Sequence, residues 1–353
     1  MPATNVCKTC NLRGIGENYT HAIVWPAQRH MMKKIVNFIQ DQGTAFEAEK
    51  ENGFIVIDTD HSDTFVADLS GALTTVEAND TRVLLCNSKT PPLGAFKDVV
   101  SLSHLVDRIN SRWLISMLEE QRYVSYAQPI VSADGNWDTV GHEFLLRGHD
   151  PDGQLIMPDT LFGAAKDPQL LFNLDRSARI CAIETAAKMG GDGDVFVNFL
   201  PGSVYDPQVC LRTTVKAAEE HGVAHERIVI EIVESHQIDD TEHLRNIVDF
   251  YRSVGFRVAL DDFGTGFNNL DMYIALDPDF VKLDKSLTMN LTDDDPRLGM
   301  VKGIVRTAHS SKINVIAEGI ETANNARVVS DCGVDRMQGY FFGRPAPVQD
   351  LAA

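Results

Sequence analysis

From residue 123 onward, apolar runs of strand length alternate with segments of helix length, and this alternation restricts the fold more than any other feature of the chain. The apolar runs fall near 124–131, 139–147, 194–199, 227–232, 257–261, 279–284, 313–318 and 335–339. Helix-like segments occupy 174–189, 208–221, 240–254, 296–310 and 322–331. Eight strands with intervening helices over about 230 residues predict an α/β fold of the TIM-barrel kind. One join departs from that plan. Residues 132–138, Ser-Ala-Asp-Gly-Asn-Trp-Asp, are too few for a crossover helix. The first two strands must then form a hairpin, which makes the first strand antiparallel.

The preceding hundred residues read as a separate small α/β domain. Residues 27–41 are helix-like, 54–58 and 82–86 are strand-like, and 65–78 between them is helical in pattern, which gives a β-α-β unit. Asn87-Ser-Lys-Thr-Pro-Pro-Leu-Gly94 is rich in turn formers and marks a boundary, and 103–121 reads as one helix. The expected organisation is a small N-terminal domain over 1–100 with a possible regulatory role, a connecting helix over 101–122, and a barrel over 123–353.

Polar residues recur where the barrel strands end. The second strand places Glu143, Leu145 and Arg147 on one face at period two. The third ends in Asn198, the fourth holds Glu231 inside an apolar run with Glu234 beyond it, and the sixth carries Lys282 and Asp284. The seventh delivers Glu318 and the eighth Gln338. The fifth runs from Arg257-Val-Ala-Leu straight into Asp261 and Asp262, followed by the turn Gly264-Thr-Gly266. Adjacent carboxylates repel each other, and burying them without a counter-charge is costly. Taken singly, each acid reads as a helix cap or a solvated loop residue, Arg147 as a salt-bridge partner, Asn198 as a turn former and Lys282 as a snorkelling side chain. Taken together they read as a metal site. Oxygen donors without histidine favour Mg²⁺ or Mn²⁺ over zinc. Four or more acids suffice for two ions, an arrangement suited to in-line attack on a phosphodiester by a water held between the ions and Lys282.

In this cluster the chain resembles the EAL-domain family of bacterial cyclic di-GMP phosphodiesterases. Glu143, Leu145 and Arg147 match E-x-L-x-R, and Tyr126-Ala-Gln-Pro-Ile130 is similar to the family's first strand. Asp261-Asp-Phe-Gly-Thr-Gly266, Lys282-Leu-Asp284, Ala317-Glu-Gly-Ile-Glu321 and Gln338-Gly-Tyr-Phe-Phe-Gly343 follow in family order. The resemblance covers residues 105–348 and implies a modified TIM barrel with an antiparallel first strand. It implies hydrolysis of cyclic di-GMP to linear pGpG with two Mg²⁺ or Mn²⁺ ions, and inhibition by Ca²⁺. Glu143, Asn198, Glu231 and Asp261 would hold one ion, and Asp261 would bridge to a second near Asp262 and Glu318. Lys282 would orient or deprotonate the attacking water, acting with Glu143 and Glu318. Arg147, Gln128, Leu145, Asp284 and Gln338 would line the substrate. Glu234, Gly264 and Gly266 would couple the following loop to a homodimer contact.

The chain departs from the family pattern at Phe144, which replaces a small residue, and at Leu200, Val233 and Asn268-Asn269. None of these removes a ligand or the lysine. The rival reading is a catalytically silent receptor or scaffold for cyclic di-GMP, whose usual mark is loss of one of those groups. A kinase reading of Asp262-Phe-Gly fails, because no glycine-rich phosphate loop and no H-R-D motif accompany it.

Composition narrows the partners. The net charge of −18 disfavours polymeric nucleic acid, and −15 of it lies beyond residue 105. No apolar run approaches the roughly 18 residues of a membrane span, and the start has no signal-peptide pattern, so a cytoplasmic protein is expected. The six cysteines are sparse and read as reduced thiols. Cys7 and Cys10 form a CxxC that lacks a second pair. His21, His30 or Cys86 could complete a zinc site, and redox sensing is a further reading, but a segment without a site is the favoured one.

Overall fold

The computed structural model describes residues 19–49, 51–204, 206–232, 241–264 and 269–351. They fall into two units, the first reaching Glu120 and including Thr160–Leu170, the second formed by Gln121–Asp159 and the chain from Leu171 onward. No helix among the described residues is long and apolar enough to cross a membrane.

The first unit is built on strands β1 (His21–Trp25), β2 (Phe46–Glu49), β3 (Phe54–Asp58), β4 (Arg82–Cys86) and β5 (Val100–Ser101), in the sheet order β2-β3-β1-β4-β5 with antiparallel pairing throughout. With helix Arg29–Asp41 after β1 and helices Ser62–Gly71 and Thr75–Asp80 after β3, this is a split β-α-β arrangement of the ferredoxin-like kind, extended by β5. The expected β-α-β pair, β3 and β4, are parallel to each other but separated by β1, which sequence pattern did not mark. One face of the sheet, with Ala22, Val24, Ile55 and Ile57, forms a single core with Ile35 and Ile39 of helix Arg29–Asp41. The helix expected over 65–78 is broken, because Thr74 starts a new helix with a capping box to Glu77. The helix expected over 103–121 is also two, Leu102–Asn110 and Arg112–Glu119, parted at Ser111. The Ser111 hydroxyl lies 2.7 and 2.5 Å from the carbonyls of Asp107 and Ala164, which share its one proton.

The second unit is a closed eight-stranded barrel of β6 (Tyr123–Ser132), β7 (Thr139–His149), β9 (Asp194–Phe199), β10 (Ile228–Ile232), β11 (Arg257–Phe263), β12 (Phe280–Leu283), β13 (Asn314–Ala317) and β14 (Arg336–Gln338). A short strand β8 (Leu155–Ile156) adds to β7 outside the ring. β6 is antiparallel to both of its neighbours, β7 and β14, and every other pair in the ring is parallel. The antiparallel first strand follows from its short hairpin. Asp134 Oδ1 organises that hairpin by accepting from Asn136 N at 3.0 Å and from the Ser132 hydroxyl at 2.9 Å.

The barrel axis is filled at its amino end by Ile130, Phe196, Val229, Ala259, Phe280 and Ile316. Beneath them Asp194 bridges Arg257 and Arg336, and the Arg336 guanidinium lies 4.8 Å from the Phe280 ring centre. The floor is therefore plugged, and the polar residues gather at the carboxyl ends. Close packing there depends on Gly339, where a Cβ would lie 2.1 Å from the Ile320 carbonyl oxygen and 2.3 Å from its nitrogen. Gly339→Ala is expected to destabilise the protein by about 3 kcal/mol, since backbone cannot yield as a flexible side chain does. Denaturant unfolding measures this, and a change near zero would show that the approach of Gly339 to Ile320 is not constrained.

Candidate active site

Each barrel strand delivers its polar residue by register. Glu143 on β7 pairs with Phe196, Asn198 on β9 pairs with Glu231 on β10, and Glu231 pairs in turn with Ala259 on β11. Lys282 on β12 pairs with Ile316 on β13, whose end leads into Glu318. The Lys282 side chain is 1% exposed. Its Nζ lies 2.7 Å from Glu318 Oε1, 2.8 Å from Glu231 Oε1, 3.3 Å from Asp261 Oδ1 and 3.5 Å from Glu143 Oε2.

One ammonium does not balance this ring. Glu231 is fully buried; its Oε1 is paired with Nζ, and no other group among the described residues satisfies its two oxygens. Burial, reinforced by Glu143 and Asp261 against the pull of Lys282, pushes the Glu231 carboxyl well above the usual range. Burial likewise raises Glu318 to about 8 despite Lys282, with Asp261 and Glu143 adding to the shift. Asp262 rises to about 6 through burial and then through Asp261 and Asp284. Burial alone would favour a neutral Lys282 amine, but Asp261, Glu143, Glu231 and Glu318 outweigh it and hold the ammonium. Glu143 moves the other way: burial is outweighed by Lys282 and by bonds from Asn198 and Gln338, so its carboxyl stays below the usual value.

Adjacent strand residues normally face opposite ways. Asp261 and Asp262 escape that rule because the β11–β12 register shifts between Leu260 and Phe263, and Asp262 adopts a left-handed φ of 51°. Both then reach one cluster: Asp261, Asp262 and Glu318 each offer an oxygen, all within 4.8 Å of one another. The turn continues through Gly264 at φ 110°, where a Cβ would meet Leu287 Cδ1 at 2.3 Å.

These residues fit divalent ions. Apart from the Lys282 ammonium, nothing among the described residues satisfies the buried Glu231 oxygens and Asp261 Oδ1, and the available ligand atoms are hard oxygens. Asp261, Asp262 and Glu318 form one ready group, and Glu143, Asn198 and Glu231 stand on β7, β9 and β10, the run of strands that leads to β11 in the ring.

A chain of amides backs Glu143. Asn198 Nδ2 donates to Glu143 Oε1 at 2.8 Å, and Gln338 Nε2 donates to Glu143 Oε2 at 2.6 Å and to Gln128 Oε1 at 3.1 Å. Gln128 Nε2 in turn donates to the Gly343 carbonyl at 3.1 Å. Gln128 and Gln338, expected against substrate, are thus buried and spend these bonds on the protein. Arg147 is buried as well, with its guanidinium 5.3 Å from the Tyr126 ring centre and a bond to the Leu146 carbonyl. Leu145 is half-buried. Asp284 caps the short helix Lys285–Thr288 through Ser286 N at 2.8 Å. Phe144 points away from the acids and is buried beside His142. Glu234, Gly266, Cys7 and Cys10 lie outside the described residues. His21, His30 and Cys86 have other partners, namely Asp58, Glu77 and the Ser88 carbonyl. Sequence reading missed a buried pair behind the site, Asp175 and Arg179.

A closed α/β barrel with one antiparallel strand and a lysine set among carboxylates at its carboxyl mouth defines a class of barrel protein built to hold hard cations. Within that class the chain belongs to the EAL domain family, whose model matches residues 111–345. A c-di-GMP-bound standalone EAL protein of Vibrio cholerae is similar in structure, with a TM-score of 0.58 and 31% identity, over 64% of this chain and 92% of that one. Cyclic di-GMP phosphodiesterase PdeF of Escherichia coli is 26% identical over 240 residues, which is 66% of this chain and 31% of PdeF. A Mycobacterium tuberculosis protein is 30% identical over 215 residues, 60% of this chain and 34% of its own. The chain spans about a third of the length of these curated relatives.

Two outcomes follow for protein stripped of divalent ions. Lys282→Met leaves four carboxylates facing one another and is expected to cost about 3–5 kcal/mol in stability. Chemical denaturation with and without Mn²⁺ measures this, and equal stability to the parent in chelator would overturn the charge account. The second outcome is a pH dependence. The folded chain holds a proton on Glu318 up to about pH 8 that the unfolded chain releases near 4.5. Folding therefore takes up protons across that window, and stability declines as pH rises through it. A flat or rising stability profile between those limits would contradict this.

Proposed function

We propose that this protein hydrolyses cyclic di-GMP to linear pGpG with Mg²⁺ or Mn²⁺. The observation that carries the reading is the Asp261, Asp262 and Glu318 group beside a lysine held by four carboxylates. Asp261, Asp262 and Glu318 would hold one ion, and Glu143, Asn198, Glu231 and Asp261 another. The ions would supply positive charge to the phosphoryl group and lower the pKa of the attacking water.

The chain's own groups do the positioning. Lys282, set among these carboxylates, would orient or deprotonate the attacking water. Asn198 and Gln338 fix both Glu143 oxygens and so fix the direction of its remaining lone pairs. The plugged barrel floor keeps bulk water from reaching the site from below. Arg147, held against Tyr126, would supply a cation for ligand phosphate. The homodimer implied by the resemblance belongs to the same reading, and light scattering with and without cyclic di-GMP tests it.

Purified protein with Mn²⁺ is expected to convert cyclic di-GMP to pGpG, resolved by chromatography. Glu143→Ala is expected to lower turnover by at least about a hundredfold while the chain stays folded. Ca²⁺ is expected to inhibit, because its longer and looser coordination suits the compact donor set poorly. Tight binding of cyclic di-GMP without turnover would replace the enzyme by a receptor.

A further inference from the structure

Behind the acidic site lies a charged network that the proposed chemistry does not use. Asp175 and Arg179, one helical turn apart on helix Pro168–Met189, are 2% and 0% exposed. Arg179 Nε and Nη2 donate to Asp175 Oδ2 at 3.1 and 2.8 Å, and Nη1 donates to the Thr214 hydroxyl and to Tyr251 Oη. The guanidinium lies 5.2 Å from the Phe199 ring centre, and Tyr251 meets the same ring edge-on at 5.6 Å. The other Asp175 oxygen, Oδ1, accepts from Leu200 N at 3.0 Å.

A buried ion pair is rarely a source of net stability, because desolvation offsets its Coulomb attraction. Its placement indicates what it does. Leu200 is the first residue beyond β9, where the strand ladder with β10 ends at Phe199. Asp175 holds that N–H, and Arg179 grips both Asp175 and the Phe199 ring. The residue before Phe199 is Asn198, which donates to Glu143.

We propose that Asp175, locked by Arg179, is a positioning residue that sets the end of β9 and thereby the aim of Asn198 and Glu143 toward a divalent ion. The inference rests on the reading of Asn198 and Glu143 as ion ligands. It separates placement from stability: replacing the pair with apolar side chains of similar size removes the desolvation cost and the Leu200 acceptor together.

The test compares Asp175→Leu/Arg179→Met and Tyr251→Phe in the full chain. The double variant is expected to melt near the parent temperature, to bind Mn²⁺ about tenfold more weakly by calorimetry, and to lose kcat with little change in KM. Tyr251→Phe leaves the Asp175–Leu200 bond in place, and is expected to lower the melting temperature with unchanged Mn²⁺ affinity. Should the double variant not fold, Asp175→Glu keeps the charge balance, displaces the acceptor by one methylene and is expected to weaken Mn²⁺ in the same way. Parent-like Mn²⁺ affinity in the folded double variant, or in Asp175→Glu in its place, would overturn the proposal. If the parent binds Mn²⁺ but leaves cyclic di-GMP intact, the proposed function fails, and the calorimetric comparison still decides this inference.

Discussion

The barrel is organised around one ammonium. Lys282 is almost wholly buried, and four carboxylates from β7, β10, β11 and the end of β13 converge on its Nζ. Without that cation, Glu231 could not remain at zero exposure, since no other group among the described residues satisfies its oxygens. With it, burial and then the remaining excess of negative charge still raise Asp262, Glu231 and Glu318. The lysine is therefore enough to let the chain fold and too little to neutralise the site. That residual demand for positive charge is the physical basis for reading the mouth of the barrel as a cation site.

The surrounding architecture serves this centre. Parallel register puts Asn198 beside Glu231, and the irregular end of β11 lets two neighbouring aspartates face one way. The antiparallel β6 brings Gln128 opposite Glu143 on β7, where a parallel first strand would need a crossover and a different register. Two amide side chains, from β6 and β14, then form a continuous chain of hydrogen bonds behind that carboxylate.

Much of the barrel was legible in sequence because its strands are buried on both faces. β10, Ile228–Ile232, reads as an unbroken apolar run except for Glu231, and all five residues are buried. The short linker after β6 dictated its direction for reasons of reach alone. The first unit was less legible. β2, Phe-Glu-Ala-Glu, is an edge strand made of residues with weak strand preference, and its pairing with β3 is what makes it a strand. The break in the helix expected over 65–78 had a local signal in Thr74-x-x-Glu77 that an apolar pattern alone does not weigh. Asp175 and Arg179 were missed because an acid and a base four apart on a helix ordinarily mark a solvated face. Their burial depends on Thr214 and Tyr251, which are remote in sequence. The site acids were legible as a set, whereas the bonds of Gln338 to Gln128 and to Glu143 required three-dimensional proximity across 210 and 195 residues.

The plugged floor has a consequence for traffic. Phe196, Phe280 and their neighbours fill the axis, and Asp194 ties Arg257 to Arg336 below them. Among the described residues the amino end is thus filled by side chains, so the acids of the carboxyl end are approached from their own side of the barrel and not through its axis.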